Sequence, residues 1–393
     1  MKENIFRESK MENDELLLNK NVIKTNSKNI IIKNGHAIFQ NKDKEFNGNS
    51  IKKLLAYVNT LKEKYANVRM PIIINLGDIV FTDKLTYIFL EIICNILIKS
   101  YGHRVTVIFK CEHNIFIEGI ASSPLLLLNN SDKDNMKKYT DKFCDDLYKN
   151  HYRRVMRKSS NNVELSRRMD DISYFLKYSG VGEECIDEIS EVIVELIGNA
   201  WEHAASECLV DLDVTNSYFK QENSSAFLGI NIAVINFSEK LLGDGIKRKI
   251  TNQDINLFER YVLVKEAYEK HKSFMNSVYQ DADFFNIAAF QHKISGRNKK
   301  VSTGGTGLTK LISSLEKRSD AHKCYLITGN RALWFFHQYL EYNKEGWIGF
   351  NESNDFFSQA PSGIVTGSNS IFLPGTAYNL NFVMKRREEK WII

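Results

Sequence analysis

Between residues 184 and 205 apolar side chains recur at steps of three and four: Ile186, Ile189, Val192, Ile193, Leu196, Ile197, Ala200 and Ala204. That period belongs to a long amphipathic helix, and its apolar stripe has to be covered by another layer. The other flank carries Glu195, Asn199 and His203 at i, i+4 and i+8, a polar row beside the stripe. A carboxylate and a carboxamide one turn apart can share a hydrated cation and a water. Mg²⁺ suits such a pair, because it keeps several waters and takes few protein oxygens plus substrate phosphates. The carboxylate can also orient or deprotonate a water for attack on phosphorus. Read alone, the row is better described as the solvated flank of an ordinary helix, since short spacings recur by chance.

The segments around this helix give its cover a shape through their periodicity: a helix over 166–178, strands over 209–215 and 226–236, a long insertion with a helical run at 255–279, a helix over 308–317, and strands over 324–336 and 378–384. An open mixed sheet with helices on one face fits this order better than a bundle or a barrel. Further upstream, two β-branched runs surround the pair Asn34-Gly35, the strongest short-range hairpin cue. After it come a helix over 50–65, a buried strand over 71–76, a helix over 82–100 and a strand over 104–109, a small α/β layer domain. The fold class expected is therefore α+β. Its divisions are a polar, mobile or loosely docked arm at 1–28, a small α/β domain at 29–128, a charged connector with some helix at 129–162 holding Arg153, Arg154, Arg157 and Lys158, and a larger domain at 163–393.

Charge and composition exclude several classes. The 393 residues carry 53 Lys plus Arg against 48 Asp plus Glu, and a net +5 is too thin to indicate a nucleic-acid surface. No apolar run reaches the ~20 residues a bilayer span needs, and the N-terminus lacks a signal-peptide core. Six scattered cysteines with no CxxC pair read as reduced packing residues. A cytoplasmic, soluble protein with no membrane partner is expected.

Two further motifs bear on chemistry. Ser302-Thr303-Gly304-Gly305-Thr306-Gly307-Leu308 runs straight into a helical pattern, where glycines let backbone N–H groups close on phosphate oxygens and the helix N-terminus adds partial positive charge. Pro374-Gly375-Thr376 sets a threonine at the start of a core strand.

In the order Glu-x-x-x-Asn-Ala-x-x-His, Gly-Gly-Thr-Gly-Leu, Gly-Thr plus strand, these residues resemble the ATP-binding domain shared by gyrase, the heat-shock-90 chaperones, histidine kinases and MutL, the GHKL superfamily. The Asn-Ala-x-x-His-Ala form at 199–204 looks most like the anti-sigma-factor serine kinase branch. The resemblance implies a Bergerat-type α/β sandwich over about 163–385, with ATP and Mg²⁺ between the long helix and a mobile lid at 237–303. It implies Glu195 as the general base and Asn199 as the Mg²⁺ ligand. Gly304, Gly305, Thr306, Gly307 and Leu308 would form the phosphate cradle, with Thr376 near the adenine and His203 a packed histidine.

The adenine-reading motif departs from the family pattern Asp-x-Gly-x-Gly. Here Asn236 ends the strand, with Gly243-Asp244-Gly245 following later. Asn236 offers a neutral and hence weaker acceptor to the adenine amine, and Asp244 is the fallback. Lys247, Arg248, Lys249, Arg297, Lys299 and Lys300 flank the expected phosphates, or are simply a solvated charge run. The N-terminal domain looks STAS-like, with Lys84 where phosphorylatable members have serine after the aspartate, here Asp83. The expectation is an ATP-binding, ATP-hydrolysing switch acting on a protein partner or as a homodimer. The alternatives are a protein serine/threonine kinase and a non-catalytic scaffold with a degenerate nucleotide site.

Overall fold

The computed structural model describes residues 11–22, 30–65, 68–111, 122–158, 162–219, 226–252, 259–294, 307–318 and 324–385. Of the polar arm expected at 1–28, residues 11–22 are described, and these pack against the fold. Met11, Leu17 and Leu18 are buried, the last two on a short helix α1 (Leu16–Lys20). Asn21 then grips a strand far down the chain, its carboxamide donating to the Phe372 carbonyl at 2.7 Å and accepting the Phe372 N–H at 2.8 Å. Charge-rich sequence hid three apolar anchors and one bidentate amide.

Strands β1 (Ile31–Lys33) and β2 (His36–Gln40) form the expected antiparallel hairpin. Asn34 and Gly35 both have positive φ (51° and 73°), as a two-residue turn with the twist of its strands requires. Then follow β3 (Glu45–Phe46), α2 (Gly48–Tyr65), β4 (Ile72–Phe81), α3 (Lys84–Lys99) and β5 (Val105–Cys111). Strands β2, β3 and β5 all run parallel to β4, so this sheet is the mixed one. Helix α3 opens on Asp83, whose carboxylate accepts the Thr86 N–H at 2.8 Å. Every residue from Lys84 to Leu97 is buried. A helix apolar on all sides is a helix covered on all sides, and α3 is held between two sheets.

The stretch expected as a charged connector with some helix carries a helix and, beyond that expectation, two strands. It contains α4 (Lys133–Cys144) and two strands, β6 (Asp145–Tyr148) and β7 (His151–Met156), which form one side of a six-stranded sheet. Helices α5 (Asn162–Tyr178) and α6 (Glu183–Asn199) follow, then β8 (Cys208–Phe219) and β9 (Ala226–Phe237). Next come α7 (Asp244–Thr251), α8 (Glu259–His271), α9 (Asp281–Ala288), α10 (Gly307–Arg318), β10 (Tyr325–Trp334) and β11 (Thr366–Lys385). The sheet order is β10-β11-β9-β8-β7-β6, and each of these pairings is antiparallel, where a mixed sheet was expected for this half.

Alternation along the strands divides two cores. Val210, Leu212 and Val214 of β8, with Ile230, Ile232 and Val234 of β9, pack under α5, α6 and α10. Leu209, Ala233, Ile235 and Phe237 point the other way, into the core shared with α2 and α3. The sheet is thus covered on both faces, its own helices on one and the N-terminal unit on the other. Within the stretch expected to be a mobile lid, Ile246, Ile250, Val264, Ala267, Phe284, Phe285 and Ile287 of α7–α9 are buried against the α5–α6 core. Among the described residues no helix is long and apolar enough to cross a membrane. Cys94, Cys144, Cys185, Cys208 and Cys324 are buried, as expected of packing residues.

Candidate functional site

Helix α6 keeps its predicted phase. Ile186, Ile189, Val192, Ile193, Leu196 and Ile197 are buried, while Glu195 and Asn199 stand half-buried one turn apart. The nitrogen of the Asn199 carboxamide is buried without a hydrogen-bond partner. Beyond Asn199 the regular helix stops. Residues Ala200–Ala204 form a π turn closed by the left-handed Ala205 (φ 56°), whose N–H reaches the Ala200 carbonyl. The wider turn re-phases His203 relative to Glu195 and Asn199, so the three do not continue one α-helical row.

This turn is stapled to the end of β9. The Ser206 N–H donates to the Ala200 carbonyl at 3.2 Å, and Ser238 Oγ donates to the Ala204 carbonyl at 3.1 Å. Asn236 Nδ2 donates to Ser206 Oγ at 3.2 Å, and no hydrogen bond to its Oδ1 occurs among the described residues. Cross-strand register pairs Asn236 with Cys208 on one side and with Thr376 on the other. Thr376 therefore lies beside Asn236 on the helix-facing side of the sheet, its hydroxyl 3.5 Å from that of Thr328. Thr328 in turn donates to the Gly375 carbonyl at 2.7 Å and accepts the Leu242 N–H at 3.3 Å.

Helix α10 runs back along α6. Lys310 pairs with Glu191 at 2.7 Å and Arg318 with Glu188 at 3.1 Å, an order that directs the opening turn of α10, Gly307 and Leu308, toward the Glu195 end. Leu308 packs on the core beneath. Gly304, Gly305 and Thr306 lie outside the described residues, as do Arg297, Lys299 and Lys300. Asp244 is engaged locally: its carboxylate accepts the Leu241 N–H at 2.8 Å at the start of α7. Lys247 pairs with Asp281 at 2.6 Å. Lys249 sits 4.7 Å from the centre of the Tyr261 ring, and desolvation pushes its ammonium down to about 8. Among the described residues, no three His, Cys, Asp or Glu side chains group as a metal site.

Sequence reasoning missed a second polar cluster, on the opposite face of the sheet. Lys84 of α3 pairs with Asp211 (2.5 Å) and with Asp213 of β8. Arg153 of β7 pairs with Glu91 of α3 and with Asp211, both at 2.5 Å. His151 Nε2 is 2.9 Å from Asp211. Ser123 Oγ donates to the Glu91 carboxylate, and Asn231 Nδ2 donates to Asp213 at 2.6 Å. Two signals were available: Asp-x-Asp inside the apolar run 209–214, and one glutamate inside the apolar helix 85–97. Either marks a charge that burial obliges to find a partner. The chain matches no protein-family model, no curated protein and no solved structure.

Proposed function

We propose that the chain is an ATP-binding switch protein of GHKL type that hydrolyses ATP with Mg²⁺, its site lying between the end of α6 and the sheet. The observation that carries this reading is the Asn199 carboxamide nitrogen, buried without a hydrogen-bond partner one residue before the turn whose Ala200 carbonyl is tied through Ser206 to Asn236, beside which Thr376 stands in strand register. A buried amide with no partner is a cost the fold carries unless a ligand meets it. Rotated about its last bond, the same carboxamide presents oxygen, which suits a hard cation. Bound Mg²⁺ would neutralise charge on phosphate oxygens.

In this reading Asn236 Oδ1 accepts from the adenine amine while Nδ2 stays on Ser206, and Thr376 borders the base. Glu195 orients the attacking water and takes its proton. Gly307 and Leu308 contribute the positive end of α10 to the phosphates, together with Gly304, Gly305 and Thr306. The mobile part of such a switch is smaller than the whole 237–303 stretch, because α7–α9 are packed into the core.

Calorimetry with ATP and Mg²⁺ tests the site. Glu195→Ala should retain binding and lose phosphate release, and Asn199→Ala should weaken binding only when Mg²⁺ is present. Parental behaviour of both variants would remove the proposal. The kinase alternative predicts transfer of γ-phosphate to a protein other than this chain's own N-terminal unit at the Asp83–Lys84 position. There Asp83 caps α3 and Lys84 is buried in ion pairs.

A further inference from the structure

Strand β6 is the last of the six-stranded sheet, and the ladder behind it fixes which of its backbone groups are left open. The Val214 N–H donates to the Asn150 carbonyl, so Asn150 and Tyr152 bond toward β8, and His151 and Arg153 bond toward β6. Their cross-strand partners Tyr148 and Asp146 bond inward in turn, which directs the N–H and C=O of Leu147 at the open edge. Asp145 extends that edge only in part, because its N–H is held by the Asp141 carbonyl.

The same edge is apolar on its helix-facing side. Leu147 is 63% exposed and pairs across the strands with Tyr152, whose ring centre lies 5.6 Å from that of Phe175 on α5. On α5, Ser173 turns to α6, bonding Ser190 at 2.9 Å, while the Asp171 carboxylate turns to β7 and accepts from Arg154 at 2.7 Å. Tyr174 and Tyr178 stand one and two turns beyond Asp171, on the side of the helix away from α6, and are 71% and 73% exposed. A leucine and two tyrosines thus make an uncovered apolar corner at the sheet edge.

We propose that two copies of the chain join through β6, antiparallel about a two-fold axis at Leu147, into one continuous sheet. Leu147 is the one residue of β6 with both backbone groups open, so a strand centred on it gains a mutual pair of hydrogen bonds, and a second Leu147 supplies that pair by symmetry. This register sets Asp145 of each copy opposite Lys149 of the other. Asp145 is exposed and held only at 3.4 Å by Arg154, which is already paired with Asp171, and Lys149 is exposed at the hairpin turn. Charge on an edge strand guards it against foreign strands, and acid at one end with base at the other matches a reversed copy of itself. Because α5 lies over β7, the two α5 helices stand about three strand spacings apart, roughly 14 Å, a gap that tyrosines from both sides can fill above the paired leucines. So short a ladder and so small a corner make a weak dimer, about micromolar or weaker. The interface makes no use of the nucleotide reading and stands or falls separately.

Sedimentation equilibrium of the full chain from about 1 to 200 µM tests the pairing. The parent should pass from monomer toward dimer across that range. Asp145→Lys and Lys149→Asp should each weaken association about tenfold, since each sets like charges opposite one another twice per dimer. Asp145→Lys/Lys149→Asp should restore most of the loss, because the swapped charges again match. Tyr178→Ser should weaken association too, without lowering the denaturation midpoint. Lys149→Asp suits the fold, as the φ of 48° at position 149 is one that aspartate tolerates. A parent that stays monomeric throughout, leaving the edge to a strand of another protein, overturns the proposal. So does a dimer that both reversals leave intact, or one whose loss the double variant does not repair. If Asp145→Lys fails to fold, Lys149→Asp and Tyr178→Ser decide: a dimer that neither weakens refutes the interface.

Discussion

Gly375 lies against Asn236 so closely that a Cβ at position 375 would overlap the Asn236 carbonyl oxygen, and its φ of 105° is one that side-chain-bearing residues rarely adopt. The close approach sets the spacing of β9 and β11 where both carry candidate site residues. Gly375→Ala is expected to cost roughly 2–4 kcal/mol from strain and overpacking, measured by urea unfolding. It should also weaken nucleotide binding more than a substitution of equal cost elsewhere in the sheet.

Asn236 is a neutral acceptor where the resembled family has an aspartate. Asn236→Asp should tighten ATP binding about tenfold, since a charged acceptor roughly doubles the strength of such a hydrogen bond. The Ser206 hydroxyl can reverse and donate to the new carboxylate. Calorimetry comparing ATP with GTP checks this, and a gain shared by both nucleotides would show that the residue does not read the adenine amine.

Arg153 and Glu91 form a buried pair across the two layers. Removing one partner strands the other, so Arg153→Met and Glu91→Gln should each cost about 3–5 kcal/mol. The double variant Arg153→Met/Glu91→Met should recover part of that loss, although Asp211 then keeps only Lys84 and His151. Denaturation midpoints of the three variants test it, and strictly additive losses would argue against direct coupling.

Acid should attack the same place by another route. Burial pushes the Asp211 carboxyl up, but Arg153, Lys84 and His151 together overcome it and hold the group well below the usual carboxylate range. A carboxylate depressed on folding contributes stability above its unfolded pKa of about 3.9, and loses it as pH falls through the folded value. Stability should therefore decline below about pH 4, and Asp211→Asn should flatten that decline while lowering stability at neutral pH. Thermal melts across the acid range provide the measurement.

What the sequence determined was local. The hairpin at Asn34-Gly35 follows from a turn only such residues accommodate, and α3 and α6 follow from the spacing of apolar side chains over several turns. Their order along the chain was enough to set an α+β fold with a helix-covered sheet. Tertiary structure decided what each face met. Strands β6 and β7 are short and charged, and Arg153 counts as an inward residue only once α3 and β8 bring Glu91 and Asp211 to it. The polar N-terminal segment docks because Asn21 finds a strand 351 residues away. The candidate site shows the same division: Glu195 and Asn199 were legible as one helix face, whereas the adjacency of Asn236 and Thr376 is a matter of strand register across 140 residues of chain. Periodicity reports that a side chain faces a partner layer. Which layer it is, and whether it brings apolar surface or an opposing charge, depends on long-range pairing that no local pattern encodes.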